Sequence, residues 1–489
     1  MLYIKYYIYY KMSDTQMSSP DDPKPVASPS GGIPDFIRLG EIGSTGMMKI
    51  ETDLLEPVIL TDPSSEFVDG FVRFTLQNKG FLHSNSKLFV SLVPANARSG
   101  VNLTTGIGQI IKKAVLKVGN QTLNEITDWS FLHQIKSSLI SGEVQREREQ
   151  YLTGRCMDHE FVYVETGSAV TNSNLAGTYG LCNGREYTGN DAGLLMHPFS
   201  IMDNTSASTI AESPTYQIDL SDLFPFLKNH QLPLYMFKEP INIELTLAPS
   251  IDSRNFLPSG STTKQPFLVD RNELKFCADY LYFGDGSEMS DYAEQNKDLS
   301  FSFPDYRLAV SSVDQASMRN IVRNVGMANR LVSRVLTSFN QSGAGEEDMS
   351  GTGASFGLKK SATGTLGGIE YNLRYNDRFE FPTNVSNTAR LFSLFTDAEG
   401  VPFIPIQEYS NAGAIITTGT YEARKQNEGL EGNFFYQSTR LTGGRVGSRG
   451  IEVHVRATDL KDNVDVMRSF CEYLRIARLQ DGFLEVFNV

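Results

Sequence analysis

The chain is poor in the residues that most often carry chemistry. It has four cysteines, six histidines and one tryptophan among 489 residues. Cys156, Cys182, Cys277 and Cys471 are scattered along its length, with no CxxC pair and no closely spaced framework. That pattern argues against structural zinc and a disulfide scaffold, and predicts reduced, buried thiols in a cytosolic protein. The sequons at Asn102 and Asn384 carry little weight without a secretory signal. His83, His133, His159, His197, His230 and His454 never fall at HxH, HxxxH or HExxH spacing, so no local metal site is encoded. No GxSxG elbow and no GxxxxGK[ST] loop occurs. "GTGASFGLKK" (Gly351–Lys360) has the wrong spacing for a phosphate loop, and "GDGSE" (Gly284–Glu288) lacks the repeated acidic ligands of a calcium loop. The expectation is a protein without cofactors that is not an enzyme.

Positive charge is also scarce. The formal net charge is −13, whereas proteins that coat nucleic acid are usually basic because phosphate neutralisation supplies their affinity. No direct, sequence-specific nucleic-acid contact is expected. Long apolar runs are missing too. The opening "MLYIKYYIYYKM" is broken by Lys5 and Lys11 and is far shorter than the ~20 residues that span a bilayer. It has no smooth signal-peptide core either. It reads either as an extension upstream of a start at Met12 or Met17, or as a sticky arm that docks on a neighbouring subunit. Residues 13–35 are rich in Ser, Pro and Asp, so 1–36 form a disordered or extended arm.

What is abundant points to β structure. Forty-one glycines, twenty prolines and 11% aromatics favour many short strands and turns. The chain exceeds the ~250–300 residues at which single cores stop growing, so two domains are expected. In "INIELTL" (Ile241–Leu247), Ile241, Ile243, Leu245 and Leu247 alternate with Asn242, Glu244 and Thr246, the period of a half-buried strand. "GFVRFTLQNKG" (Gly70–Gly80), "KLFVSLVP" (Lys87–Pro94) and "FVYVE" (Phe161–Glu165) read as strands. "KKAVLKVGNQTLNEI" (Lys112–Ile126) reads as two strands about a Gly119-Asn120 turn. "SFLHQIKSSLI", from Ser130, reads as a short amphipathic helix. "FLPSGSTTKQP" (Phe256–Pro266) is the best internal boundary, after which "ELKFCADYLYF" restarts the strand pattern. "GGIEYNLRYNDRFEF", "ARLFSLFT", "GNFFYQSTRL" and "IEVHVRATD" continue it. Two tandem β-sandwiches follow from this layout.

Val313–Leu336 stands apart. Met318, Ile321, Val322, Val325, Val332, Val335 and Leu336 gather on one helical face, and Arg319, Arg323, Arg330 and Arg334 lie within about 60° on the other, at ~100° per residue. The expectation is a helix inserted in a β domain. Its arginine stripe is either a solvated face or an intersubunit docking surface for acidic groups.

Several segments resemble the double jelly-roll major capsid proteins of eukaryotic double-stranded DNA viruses, virophages and polinton-like viruses. They are "IDLSDLFPFL", the Leu232-Pro233-Leu234 turn before the Ile241 strand, and Asp279-Tyr280-Leu281-Tyr282, with "GFLHSNSKLFVSL", "IGQIIKKAVLKVGNQTLNEITDW" and the closing "YLRIARLQDGFLEVFNV". Where the algal-virus form continues its turn with "IALQYHEV", this chain has "YMFKEPINI". The resemblance implies an all-β protein of two jelly rolls, 37–258 and 259–489, with long loops and a helical insertion near 313–336. It implies a homotrimer that forms a pseudo-hexagonal block and tiles an icosahedral capsid. Partners would then be neighbouring trimers and minor capsid and penton proteins, with an inner membrane or basic minor proteins between shell and genome. Localisation would be the virion, assembled inside the host cell. Loops 166–193 and 340–368 would form outward towers or clasps. The alternative is a tandem β-sandwich carbohydrate-binding protein, which would normally show a secretory signal and aromatic platforms, where this chain has one tryptophan, Trp129.

Overall fold

The computed structural model describes residues 48–59, 70–94, 98–100, 106–138, 152–153, 181–182, 185–186, 201–203, 215–228, 231–247, 267–269, 273–283, 286–312, 319–340, 369–386, 388–400, 436–441, 444–457 and 466–489. The first barrel is built from β1 (Met48–Leu55), β2 (Phe71–Leu76), β3 (Lys87–Pro94), β4 (Ile111–Val118), β5 (Gln121–Thr127), β6 (Thr215–Asp219), β7 (Ile241–Leu247) and β8 (Lys275–Phe283). One of its sheets runs β1–β8–β3–β6 and the other β2–β7–β4–β5, all antiparallel.

The second barrel is built from β9 (Asp298–Ser312), β10 (Arg319–Gly326), β11 (Val332–Asn340), β12 (Ile369–Tyr375), β13 (Arg378–Phe379), β14 (Tyr436–Arg440), β15 (Ile451–Ala457) and β16 (Val466–Gln480). Its sheets run β9–β16–β11–β14 and β10–β15–β12–β13. Adding eight to every label of the first barrel reproduces the second. Two antiparallel sheets of this repeated order are a jelly roll, here present twice. A further strand, β17 (Phe483–Asn488), pairs with the end of β16. The longer helices are α1 (Trp129–Ser138), α2 (Gly286–Gln295) and α3 (Thr388–Glu399).

Alternation accounts for most of the first core. Ile241, Ile243 and Leu245 of β7 are fully buried beside Leu76, Phe74 and Val72 of the paired strand β2. Glu244 points to the other face of β7 yet is only 4% exposed. Arg73 (2.8 Å) and Lys117 (2.6 Å), on the two flanking strands, close over its carboxylate. The β4–β5 turn needs a left-handed residue, and Gly119 supplies it at φ +56°.

Three expectations are corrected. The strand Lys275–Phe283 does not open the second barrel. It pairs with β1 along one edge and with β3 along the other, completing the first barrel, so the boundary by sheet membership lies between Phe283 and Asp298. Val313–Leu336 is not a helix. Its described part is the strands β10 and β11, one in each sheet of the barrel, joined by a turn through Gly326, Met327 and Asn329, all at positive φ. Register shifts at Asn324/Gly326 and Val332/Arg334 break strict alternation, so Ile321, Val325, Val332 and Val335 reach one core at spacings that mimic a helix. "ARLFSLFT" lies in helix α3 rather than a strand, with Leu391, Phe395 and Ala398 buried at i, i+4 and i+7. The arm 1–36, the Phe161–Glu165 strand, the Phe256–Pro266 linker and nearly all of loops 166–193 and 340–368 lie outside the described residues.

Candidate functional site

The sheet β9–β16–β11–β14 is covered on both faces. Every residue from Val466 to Tyr473 is buried, with no alternation. Met467, Cys471 and Tyr473 pack in the second barrel's core, while Phe470 and Leu336 join the first barrel's cluster. Beyond Tyr473 the pair β9–β16 overhangs its own barrel. There Leu299, Phe301, Phe303, Ala477 and Leu479 lie on the first barrel, with the Phe226 and Phe303 rings 5.0 Å apart.

Charged groups are sealed into this junction in three places. Under the overhang, Asp305 accepts from Asn124 of β5 (2.8 Å), Arg475 (2.8 Å) and the Tyr473 hydroxyl (3.2 Å). Arg475 also donates to the carbonyls of Leu123 (3.1 Å) and Thr122 (3.4 Å). Beside α1, Arg468 reaches Asp128 (3.1 Å) and lies 4.2 Å from the centre of the Phe131 ring. The third cluster is the largest. Arg334 grips Glu472 through Nε (2.7 Å) and a terminal nitrogen (2.5 Å), and Glu399 of α3 at 2.9 Å. Lys136 of α1 meets Glu399 at 2.5 Å, and Ser438 donates to it at 2.6 Å. Tyr306 (2.6 Å) and Ser333 (2.7 Å) donate to Glu472. Two carboxylates thus face two cations.

Burial works against these carboxylates, but Lys136 and Arg334 outweigh it at Glu399, and Arg334 and Lys136 outweigh it at Glu472, holding both below the ordinary range. At Lys136 burial wins and lowers the ammonium, with Glu399 opposing. At Asp305 burial also wins, and the carboxyl is raised despite Arg475. Each of these carboxylates is engaged by cations and neutral donors of the protein itself. The arrangement fixes one barrel on the other.

Arg323, Arg330 and Arg334 of the expected stripe take three separate places. Arg334 is the centre of the buried cluster. Arg330 lies over the Tyr473 ring at 4.7 Å. Arg323 reaches from β10 to the Ser312 carbonyl of β9 (3.0 Å), closing the mouth between the two sheets. Arg319 starts β10, opposite Ala457. Glu399, Glu472, Asp305, Arg475 and Lys136 were not singled out by the sequence. The available signal was "VMRSFCEYLRIARL", where charges interrupt an apolar stretch too dense to alternate and must therefore be paired inside.

Among the described residues, no group of three or more His, Cys, Asp or Glu could hold a metal ion, and no helix is long and apolar enough to cross a membrane. Cys277 and Cys471 are free thiols. Trp129 is 1% exposed, stacked on His133. On the outside, the first barrel carries an open polar cluster: Lys79 bridges Glu51 and Asp53 and lies 4.7 Å from the centre of the Tyr280 ring. Ile50 and Leu54 of β1, Val310 of β9, Val322 of β10, Phe379 of β13, and Phe483 and Phe487 of β17 are large apolar side chains about half exposed.

No family model matches the sequence, and no curated protein matches it. Solved structures do match in shape. A chain from a quasi-atomic model of the PBCV-1 virus capsid aligns with TM-score 0.50 and 11% identity, over 91% of this chain and 98% of its own. A chain of the Sputnik virophage structure aligns with TM-score 0.50 and 11% identity, over 90% of this chain and 88% of its own. Identity this low speaks to fold alone, and the fold agrees with the strand order: two jelly rolls in tandem.

Proposed function

We propose that the chain is the structural subunit of an icosahedral viral capsid, built as a homotrimer with six barrels in a pseudo-hexagonal block. One observation carries the reading. Two barrels of identical strand order are held together by one sheet of the second packed on the first and by buried ion pairs, and this whole unit matches a virus-capsid chain along nearly its full length. A shell subunit needs rigid blocks and interfaces rather than a reactive centre, and the charged clusters described above serve rigidity. Trimers would tile through contacts with neighbouring trimers, with minor capsid and penton proteins at special positions. The chain would reside in the virion shell after assembly in the host cell, and its acidic balance suits a subunit that does not grip the genome. The carbohydrate-binding alternative gains nothing from Trp129, which is buried and cannot act as a sugar platform.

Light scattering on purified protein tests the reading. A mass three times 54.3 kDa at micromolar concentration is expected, with apparent stability that rises with concentration. A well-folded, stable monomer overturns it.

A further inference from the structure

The C-terminal strand β17 pairs with β16 along one edge and with no other strand among the described residues. Asp481 and Gly482, both at positive φ, form the two-residue turn between β16 and β17, so Gln480 and Phe483 are a hydrogen-bonded pair. Phe483, Glu485 and Phe487 therefore turn their backbone groups toward β16. Leu484, Val486 and Asn488 turn theirs to the open edge, where no described backbone group meets them.

The side chains divide in the same way. Leu484 is buried and Val486 partly buried against the first barrel, whereas Phe483 and Phe487 are 53% and 48% exposed. Glu485 stands between the two rings. Across the sheet it faces Arg478, which holds Asp298 at 2.5 and 2.7 Å. This row runs acid, base, acid, and ends on Glu485. An open edge strand with exposed aromatic rings is a template for another strand unless something covers it.

One segment of the sequence has the matching pattern. Residues 2–10, LYIKYYIYY, hold only leucine, isoleucine and tyrosine apart from Lys5, a composition suited to a strand. At period two, Tyr3, Lys5 and Tyr7 share one face, and Ile4, Tyr6 and Ile8 the other. Tyr-Lys-Tyr is the counterpart of Phe-Glu-Phe on β17, with the opposite charge. In an antiparallel pairing with Lys5 opposite Glu485, Tyr3 meets Phe487 and Tyr7 meets Phe483. These are the non-hydrogen-bonded positions, where facing Cβ atoms come within about 4.5–5.5 Å. Ile4 and Tyr6 then fall beside Val486 and Leu484.

The intervening chain is long enough. Met48, which starts β1, lies opposite Phe283, and Asp298 lies opposite Gln480 at the β17 turn. Between Phe283 and Asp298 the chain runs through α2, ten residues and about 15 Å long. Residues 11–47 are rich in Ser, Pro and Gly, and a chain of that length has a root-mean-square span of roughly 30–36 Å.

We propose that residues 2–10 add to the open edge of β17 in the same chain as an antiparallel strand, with Lys5 on Glu485. The row across the sheet then reads Asp298, Arg478, Glu485, Lys5, and both exposed rings are covered. The docking takes place within one chain, so it stands or falls apart from the shell reading.

Hydrogen exchange read by peptide mass spectrometry tests it. Amides of 484–488 should be protected in the full chain and exchange roughly tenfold faster or more in a variant lacking residues 1–12. Unchanged exchange in β9 and β16 shows that this variant is folded. A synthetic peptide of residues 1–12 should restore the protection, and a scrambled one should not. Lys5→Glu, which keeps the full length, should also lose it. A zero-length carbodiimide should couple Lys5 to Glu485, and in an equal mixture of light and isotope-labelled protein each linked pair should be all light or all heavy. Fast exchange at 484–488 in the full chain, or protection that survives removal of residues 1–12, overturns the proposal. Mixed light–heavy pairs overturn docking within one chain.

Discussion

Replacing Arg334 by glutamine leaves two buried carboxylates with one cation between them. Glu399 and Glu472 have side chains 2% and 10% exposed, and Lys136, the remaining cation, is 24% exposed. Removing one partner from a buried ion pair costs about 3–5 kcal/mol, since the orphaned charge keeps its desolvation penalty. Lys136 can still serve one carboxylate, which favours the lower end, about 3 kcal/mol. For one transition of 489 residues, at ~2.1 cal/mol/K per residue, each kcal/mol shifts the midpoint by about 1 °C, so the melting temperature should fall by roughly 3 °C. Differential scanning calorimetry at fixed protein concentration measures it. Arg449→Gln is the comparison. Its pair with Asp377 is 75% and 65% exposed, and an exposed pair contributes at most about 1 kcal/mol. The decisive variant removes both charges. Arg334→Met with Glu472→Leu leaves Lys136 and Glu399 balanced, so it should melt above Arg334→Gln despite changing more atoms. If the double variant is no milder, lost packing rather than an orphaned charge explains the effect. If Arg334→Gln melts with Arg449→Gln, the cluster contributes no more than a solvated pair.

The same carboxylates set an acid limit. Their folded-state values are depressed, so the stability they provide is complete above the ordinary value of 4.5 and lost as pH falls through the folded values. Asp305 has the opposite sign, being raised, and softens that loss. Melting curves between pH 3 and 7 should therefore drop below about 4.5, and Glu399→Gln should flatten the drop; an unchanged slope refutes the assignment. Thiol titration gives a further check. Denatured protein should yield four free thiols, whereas in the native state Cys471, buried with its thiol pushed up to about 12, should not react. Two or fewer thiols after denaturation would point to disulfides and against assembly in a reducing compartment.

Strands with one solvated face were legible in the sequence. Ile241–Leu247, apart from its buried Glu244, and Ile451–Arg456 alternate in burial as their residues alternate in polarity, and the Gly119-Asn120 turn sits where its dipeptide placed it. The resemblance added the double jelly roll, which strand order within the structure bears out. Errors arose where periodicity was altered by something non-local. The bulged strands β10 and β11 together imitate a helix through their spacing, although Ile321, Val322, Val325, Val332 and Val335 are β-branched and favour strands. "TARLFSLFTDAE" has no β-branched residue except its threonines, and leucine and alanine favour helix, yet in sequence it reads as one more strand of the series. The barrel boundary was misplaced because chain order and sheet membership diverge: β8 returns to the first barrel after the linker. The buried charges were invisible for the same reason, since Lys136 and Glu399 are 263 positions apart and meet only when two barrels close on each other.

The fifteen-residue strand β16 pairs with β9 along its whole length, about 50 Å at 3.3 Å per residue, and serves both barrels in turn. A hinge between the barrels would have to bend or break this ladder, so the angle between them is a property of one continuous pair of strands. The barrels should lose structure together, as one calorimetric transition. For an assembly made of such units, bending cannot be absorbed inside the chain. In the proposed shell, curvature, and with it the number of subunits that close a sphere, would be left to the contacts between units.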